Sequence, residues 1–388
     1  MTLVDDVRDL APVWQASIGP GDANGALSAE TWDALLDVGV LRALQPRRFG
    51  GTETTLLEFV DAIVEIAKIA PSAGWVAAVI GVHPFQLGLF EDEAQHDMWD
   101  DDPTRMHSSS YNPTGSAVAV EGGWEVSGTW SFSSGCDHCG AVNLGAVVAA
   151  PEDAPTRQRD LLSLVLFRDQ YSIVDNWHVV GLKGTGSKDI VVDSAFVPAH
   201  RTQSHMLYAL GKPLPGQTAN PGPVFRLPWS VVFNMALASS VLGAAQGFVD
   251  CWVEENKSRR VPGAGALAND ALTQQRVAEA TWTLDAAMTR MRLDAVELWD
   301  WAEAGHVASM AERGQKRWNL NHGCDLVGKA TLDLFRMASG TALFLDHPLQ
   351  RRFQDVQAGL SHAYMVPDPV ARSVGGSLLG STEPEWLL

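Results

Sequence analysis

The sequence predicts an α+β protein whose helices and strands are segregated along the chain, and three observations carry that reading. "TTLLEFVDAIVEIAKIA" places Leu56, Phe59, Val60, Ile63, Ile66 and Ala67 on one face at i, i+3, i+4 spacing, the mark of an amphipathic helix. From about Met106 to Thr202 the pattern changes to short β-rich runs, "GSAVAVEGGWEVSGTWSFSSG", "NLGAVVAA", "LLSLVLF" and "DIVVDSAFVP", broken by Gly, Asp and Pro. The helical period then returns: Leu284, Met288, Met291 and Ala295 form one stripe, and "VVFNMALASSVLGAAQGFVDCWV" is apolar nearly all round. Runs of helices, then strands, then helices do not alternate as β-α units do.

The elements follow in order. The first 104 residues read as a helical domain, in which "QPRRFGGTET" supplies a paired-glycine break and threonines that can cap the next helix. Residues 105–205 read as a compact antiparallel β domain, and 206–388 as a helical bundle. That last segment opens with "LGKPLPGQTANPGPVFRLP", residues 210–228, whose Pro and Gly density marks a linker or an ordered surface loop. A helix without a polar face belongs at the centre of a bundle or at a subunit interface.

Composition bounds the function. At 388 residues, with 46% hydrophobic and 19% charged residues, the chain is long enough for two or three packed units. Acidic residues outnumber basic ones 46 to 28, a field that repels phosphate backbones and anionic membrane surfaces, so neither nucleic acid nor membrane is expected as a partner. "MTLVDDVRDLAPVW" lacks a basic-then-apolar leader pattern, and the expectation is a soluble cytoplasmic protein. The 14 Trp suit cores and aromatic pockets alike.

The motifs mostly exclude. "CDHC" is the only C-x-x-C, and no second pair completes a zinc site, so no metal is expected. A strand-like run follows it, where a redox dithiol wants a helix N-terminus. "GLKGTGSKD" has the glycine gap of a phosphate loop, but Ser187 precedes Lys188, the reverse of the order that holds phosphate and magnesium. No G-x-G-x-x-G leads from a strand into a helix, and no G-x-S-x-G appears. The 11 histidines are scattered, without the spacing of a helical metal site.

"VSGTWSFSSGCDHCGAVNLGAVV" resembles the middle-domain signature of the acyl-CoA dehydrogenase fold, in the variant of the oxygenase components of two-component flavin-dependent monooxygenases such as p-hydroxyphenylacetate and 3-hydroxy-9,10-seconandrostatriendione hydroxylases. "QPRRFGG", "PSAGWV", "GTGSKDIVVDSAFVPAHRT" and "ASGTALFLDHPLQRRFQDVQAGLSH" match in the same order across nearly the whole chain. The resemblance implies an N-terminal helical domain, a middle β domain and a C-terminal four-helix bundle. It also implies diffusible reduced FMN or FAD supplied by an NAD(P)H:flavin reductase, O2 as co-substrate, a C4a-hydroperoxide, hydroxylation of an aromatic, phenolic substrate, and a homotetramer.

Matching residue by residue, the resemblance places the strand and turn of Trp130, Phe132, Ser133 and Ser134 against the isoalloxazine ring, with Ser134 at N5 and His362 beside the flavin assisting oxygen activation. His83 and Ser109 match positions that contact and polarise a phenolic hydroxyl, with His107 the competing base; Arg226 and Tyr364 complete the substrate set. Arg260, Ser339 and Gly340 match pyrophosphate contacts reaching a neighbouring subunit's flavin. In "RRFQD", Arg351, Arg352 and Asp355 repeat a turn of the fold, with Gln354 where an arginine is usual, which puts the local ion pairing in doubt. Alternatives stay open: oxygenation of nitrogen, sulfur or an indole-type ring, polyketide tailoring, an FAD-dependent acyl-CoA dehydrogenase-like reaction, or a non-catalytic helical scaffold.

Overall fold

The computed structural model describes residues 2–149, 159–263 and 265–381. Seven helices come first: α1 (Leu3–Asp9), α2 (Ala11–Asn24), α3 (Ala29–Asp37), α4 (Leu56–Ile69), α5 (Pro71–Gly81), α6 (His83–Leu87) and α7 (Asp92–Trp99). Thr55 caps α4 by accepting the Glu58 N–H, and all six residues of the apolar stripe read from the sequence are buried. A glycine at 74 allows α5 to lie directly on α4: a Cβ there would sit 2.4 Å from the Ala67 Cβ.

Eight strands follow: β1 (His107–Ser110), β2 (Ser116–Val120), β3 (Gly123–Ser133), β4 (Ala141–Ala149), β5 (Arg159–Phe167), β6 (Ser172–Val174), β7 (Lys188–Pro198) and β8 (Thr202–Ser204). They form two four-stranded sheets, ordered β1-β4-β5-β8 and β2-β3-β7-β6. The expectation of a purely antiparallel unit needs correction, because β1 pairs with β4 in parallel, His107 opposite Ala141. The chain leaves β1, makes the β2–β3 hairpin in the other sheet, and returns in the same direction; such a crossover permits parallel pairing. Between the sheets lies an apolar core of Val126, Trp130, Val142, Leu144, Leu164, Ile190 and Val197.

The helices resume with α8 (His205–Ala209), α9 (Gly216–Ala219) and α10 (Trp229–Asn256). A short pair, β9 (Arg260–Val261) and β10 (Gly265–Ala266), precedes α11 (Ala271–Ala304), α12 (Met310–Arg336), α13 (Pro348–Leu360) and α14 (Pro367–Leu378). The Pro/Gly-rich stretch at 210–228 is ordered. Val224 and Phe225 are buried, and Phe225 stacks near Phe85 at 6.4 Å between ring centroids. Helix α10 is long and apolar enough by composition to cross a bilayer, yet 94% of that window is buried within the fold. It packs on α4, α5, α11, α12 and α13, and Trp252 donates its indole N–H to the Leu334 carbonyl at 2.7 Å.

Trp130 is fully buried between the sheets and donates its indole N–H to the Gly145 carbonyl at 2.8 Å. Removing that ring leaves a cavity and an orphaned carbonyl, so Trp130→Ala should lower stability by about 3–5 kcal/mol. Equilibrium urea unfolding checks this, and a change within about 0.5 kcal/mol would contradict the placement.

Candidate functional site

A β-bulge makes the first half of the site. The β3–β7 register shifts between Trp130 and Ser133, and Phe132 takes φ +70°, a conformation bulky residues rarely adopt. The bulge turns Phe132 outward, 67% exposed, against Trp177 at 6.2 Å, while Ser133 and Ser134 both point inward. Ser134 Oγ lies 2.7 Å from Ser187 Oγ, which lies 2.7 Å from Thr185 Oγ1; Thr185 in turn donates to the Leu182 carbonyl at 2.9 Å. Trp75, on α5, donates its indole N–H to Ser134 Oγ at 3.2 Å.

Trp75 joins this hydroxyl row to the second half. Its ring lies 5.8 Å from that of His362, just past the end of α13. The backbone around His362 is pinned from the bundle: Asn234 of α10 and Asn321 of α12 both donate to the Tyr364 carbonyl, at 3.2 and 2.9 Å. His362 Nδ1 accepts the Tyr364 N–H at 3.1 Å, so in the neutral ring the proton sits on Nε2. Phe233 then bridges to the substrate candidates, 6.3 Å from His362, 5.3 Å from Tyr364 and 6.3 Å from His83.

Around His83 the interior is dense with rings. His83 stacks on His107 at 5.1 Å, and Tyr111 stands edge-on to Phe233 and Trp229 at 5.7 and 5.5 Å. Trp229 stacks with Phe233 and Tyr208, and His205 meets it edge-on at 4.8 Å. His83 and His107 are each 1% exposed. Desolvation holds all four histidines neutral: His107 and His205 are lowered to about 3, His362 to about 4, and His83 well below its ordinary value by burial and then by His107.

Some polar atoms here are buried without a partner among the described residues: His83 Nε2, both His107 ring nitrogens, both Asn143 amide atoms, Tyr208 Oη and Trp229 Nε1. Buried polar groups are normally satisfied, so such a cluster calls for a polar ligand. A flat heteroaromatic ring with one polar edge suits these groups: Ser134 Oγ as an acceptor, its own proton passed along the row through Ser187 and Thr185 to the Leu182 carbonyl, a neutral imidazole N–H at 362, and aromatic walls.

Other residues singled out in the sequence lie elsewhere. Trp130 is enclosed in the β core rather than facing a ligand, because strand alternation ahead of the bulge sends it inward. Ser133 donates to Ser108 Oγ at 2.9 Å. Ser109, by contrast, stays with the rings: it is half-buried on β1, its Cα opposite Asn143 and its side chain beside the Tyr111 hydroxyl. Arg226 donates to the Ala302 and Pro221 carbonyls at 3.3 and 3.0 Å, which turns it to the surface at the end of α11 instead of toward the rings. Arg260 is exposed on β9, and Ser339 caps the turn that opens at Gly340.

The altered "RRFQD" stretch, expected as a turn, lies within helix α13 and makes contacts to backbone groups. Asp355 accepts the Leu182 N–H at 2.6 Å, and Arg352 donates to the Lys68 carbonyl at 2.9 Å. Cys136 and Cys139 are buried free thiols; burial pushes Cys136 up to about 12 and Cys139 well above its ordinary value. His138 between them stacks on Trp32 at 4.9 Å and contacts the Leu27 carbonyl at 3.0 Å through Nε2, docking the turn on the N-terminal helices.

With this geometry in place, the chain is seen to belong to the flavin-dependent monooxygenases of the acyl-CoA dehydrogenase fold. The family model "Acyl-CoA dehydrogenase, C-terminal domain" matches residues 235–367. The chain is 35% identical over 341 residues to the flavin-dependent monooxygenase oxygenase subunit HsaA of Rhodococcus jostii, covering 87% of this chain and 88% of the relative. It is 32% identical over 388 residues to the FADH(2)-dependent resorcinol hydroxylase oxygenase component of a Rhizobium species, covering 97% and 94%. Among solved structures, 3-HSA hydroxylase from Rhodococcus sp. RHA1 superposes with a TM-score of 0.92 at 32% identity, covering 100% of this chain and 99% of that one.

Sequence reasoning missed Tyr111, Asn143, His205, Tyr208, Trp229 and Phe233. Helix α10 reads as core because its site-facing aromatics sit in an apolar run, and no local spacing distinguishes a ring lining a ligand from one filling a core. Thr185 and Ser187 stood in a stretch noted for another reason, and Trp75 lay within "PSAGWV".

The neutral histidines make stability depend on pH. Their folded pKa values lie below the unfolded value of 6.5, so the unfolded chain binds more protons, and stability falls as pH drops from about 6.5 toward 4. Asp355, raised to about 7 by burial, opposes this, because its native carboxyl keeps a proton that the unfolded one releases. Four histidines against one carboxyl leave a net loss of stability on acidification. Urea midpoints between pH 7 and 5 should therefore decline, and His107→Asn should flatten the decline; a midpoint independent of pH would refute the neutral cluster.

Proposed function

We propose that the chain is the oxygenase component of a two-component system, taking reduced FMN or FAD from a separate NAD(P)H:flavin reductase and using O2 to hydroxylate a phenolic aromatic compound. The observation that carries this is one cluster in which Ser134, Trp75 and His362 connect through Phe233 to a neutral His83 whose Nε2 has no partner among the described residues. A reduced flavin, when bound, supplies the electrons that activate dioxygen for transfer of one oxygen atom.

The chain's own residues do the rest. Ser134, supported by Ser187 and Thr185, orients the polar edge of the ring, and Phe132 and Trp177 are placed to cover its flank. His362 presents an N–H at Nε2, suited to hold negative charge developing on oxygen. His83 takes the phenolic proton at Nε2, enriching the ring in electron density where oxygen arrives; His107, stacked on it, is the competing base. Tyr208, Trp229, Phe233 and Tyr364 keep water from the reacting atoms. Ser109 is a polar neighbour for the substrate.

The remaining assignments complete the reading. Arg260 with Ser339 and Gly340 would reach the flavin of a neighbouring subunit in a homotetramer, and the exposed Leu343, Phe344 and Leu345 beside that turn favour cover by another copy. Three units divided near residues 104 and 205, in a cytoplasmic enzyme, fit this arrangement; the breaks fall between α7 and β1 and between β8 and α8.

Turnover tests it. Protein mixed with anaerobically reduced FMN or FAD, a phenol and isotope-labelled dioxygen should yield a hydroxylated product carrying one labelled oxygen atom. His83→Asn should lower that yield by roughly a hundredfold or more while a thioether or indole probe is unaffected. Unlabelled product, or no product from any phenol, would end the proposal. An equal loss with every probe would remove His83 as the phenolic base.

A further inference from the structure

His83 Nδ1 lies 3.4 Å from Tyr111 Oη, and the Tyr111 hydroxyl donates to Gln86 Oε1. The amide of Gln86 donates to Ser163 Oγ at 3.3 Å, and Ser163 Oγ lies 2.7 Å from His205 Nε2. Gln86 and Ser163 are fully buried, on α6 and β5. Five side chains from four parts of the chain thus form one hydrogen-bond row between buried His83 and half-buried His205.

The row has a direction. An amide has one accepting and one donating end, so Gln86 fixes both neighbours: Tyr111 must donate to it and Ser163 must accept from it. The Tyr111 proton is then spent on Gln86, and only His83 Nδ1–H can complete the contact with Tyr111 Oη. At the other end Ser163 Oγ, while accepting from Gln86, meets His205 Nε2 at 2.7 Å. His83 Nε2, buried and without a partner among the described residues, is left as a bare acceptor. An orphaned acceptor is also more tolerable than an orphaned buried N–H, which favours the same direction.

We propose that Tyr111 and Gln86, backed by Ser163 and His205, are positioning residues that hold His83 in the tautomer with Nε2 unprotonated, so that it can accept a proton from a hydroxyl-bearing aromatic ligand. This rests on the reading of His83 as the substrate base. The ligand's O–H bond breaks with its electron pair left on oxygen, the proton goes to Nε2, and the resulting imidazolium keeps its Nδ1–H on Tyr111 Oη. The Tyr111 proton stays on Gln86, so nothing but that one proton moves. The row also gives a place to His205 among Tyr111, Tyr208 and Trp229: it terminates the chain.

The test reads the tautomer directly and needs no ligand. Nitrogen NMR of the full chain with isotopically labelled histidine, the His83 signals assigned by their loss in His83→Asn, should show Nδ1 protonated and Nε2 bare by roughly fivefold or more. Gln86→Met frees the Tyr111 hydroxyl to donate to Nδ1 and should move the proton to Nε2. Tyr111→Phe should leave a mixture, and the double variant should match Tyr111→Phe alone, a non-additivity that mere loosening of the core would not produce. A wild-type proton on Nε2, or a tautomer unmoved by Gln86→Met, overturns the proposal. Failure here leaves the base role of His83 open to the turnover test, and failure of that test leaves the tautomer result standing, so the two are told apart.

Discussion

Everything in this molecule is arranged around a helix that is buried on all sides over about its first five turns. Helix α10 is covered by α4, α5, α11, α12 and α13, and its first two turns carry Trp229 and Phe233 into the place where the helical layers meet the sheets. Because those rings take up the apolar contact, the histidines beside them lose water without gaining ion-pair partners, and neutrality follows first from desolvation, with His107 adding to it at His83. The same enclosure accounts for the pinned backbone at 361–366, which Asn234 and Asn321 hold from two helices at once.

The two histidines flanking Phe233 end up with opposite chemistry from the same residue type. His362 uses Nδ1 to accept a backbone N–H and so offers a donor. His83 uses Nδ1 toward Tyr111 and so offers an acceptor. Neither outcome depends on the ring's own character; each is set by the partner at the other nitrogen. A site that must give a hydrogen bond at one end and take a proton at the other, in a dry interior, has few cheaper means with uncharged groups.

Much of this was legible in the chain. Periodicity located α4 and the stripe on α11, and the change to short β runs located the sheets, because burial on one face leaves a period that survives in one dimension. The resemblance named Ser134, His83 and His362, which the fold brings into one neighbourhood. What did not survive is what depends on distant pairing. The parallel β1–β4 contact arises from a crossover, the outward turn of Phe132 from a bulge, and the surface position of Arg226 in part from the Ala302 carbonyl far along the chain. Trp229 and Phe233 stayed hidden for a different reason, since hydropathy cannot separate a core ring from a wall.

The contact between α4 and α5 has an evolutionary consequence. With hydrogen as the only side chain that fits at Gly74, the neighbouring Trp75 is anchored to a surface that cannot recede. Members of this lineage that came to accept bulkier or slimmer compounds would therefore have had to remodel the opposite side, where α8 and the proline-rich stretch after it join short, individually replaceable turns. Diversification should be concentrated there, while the tryptophan side changes slowly.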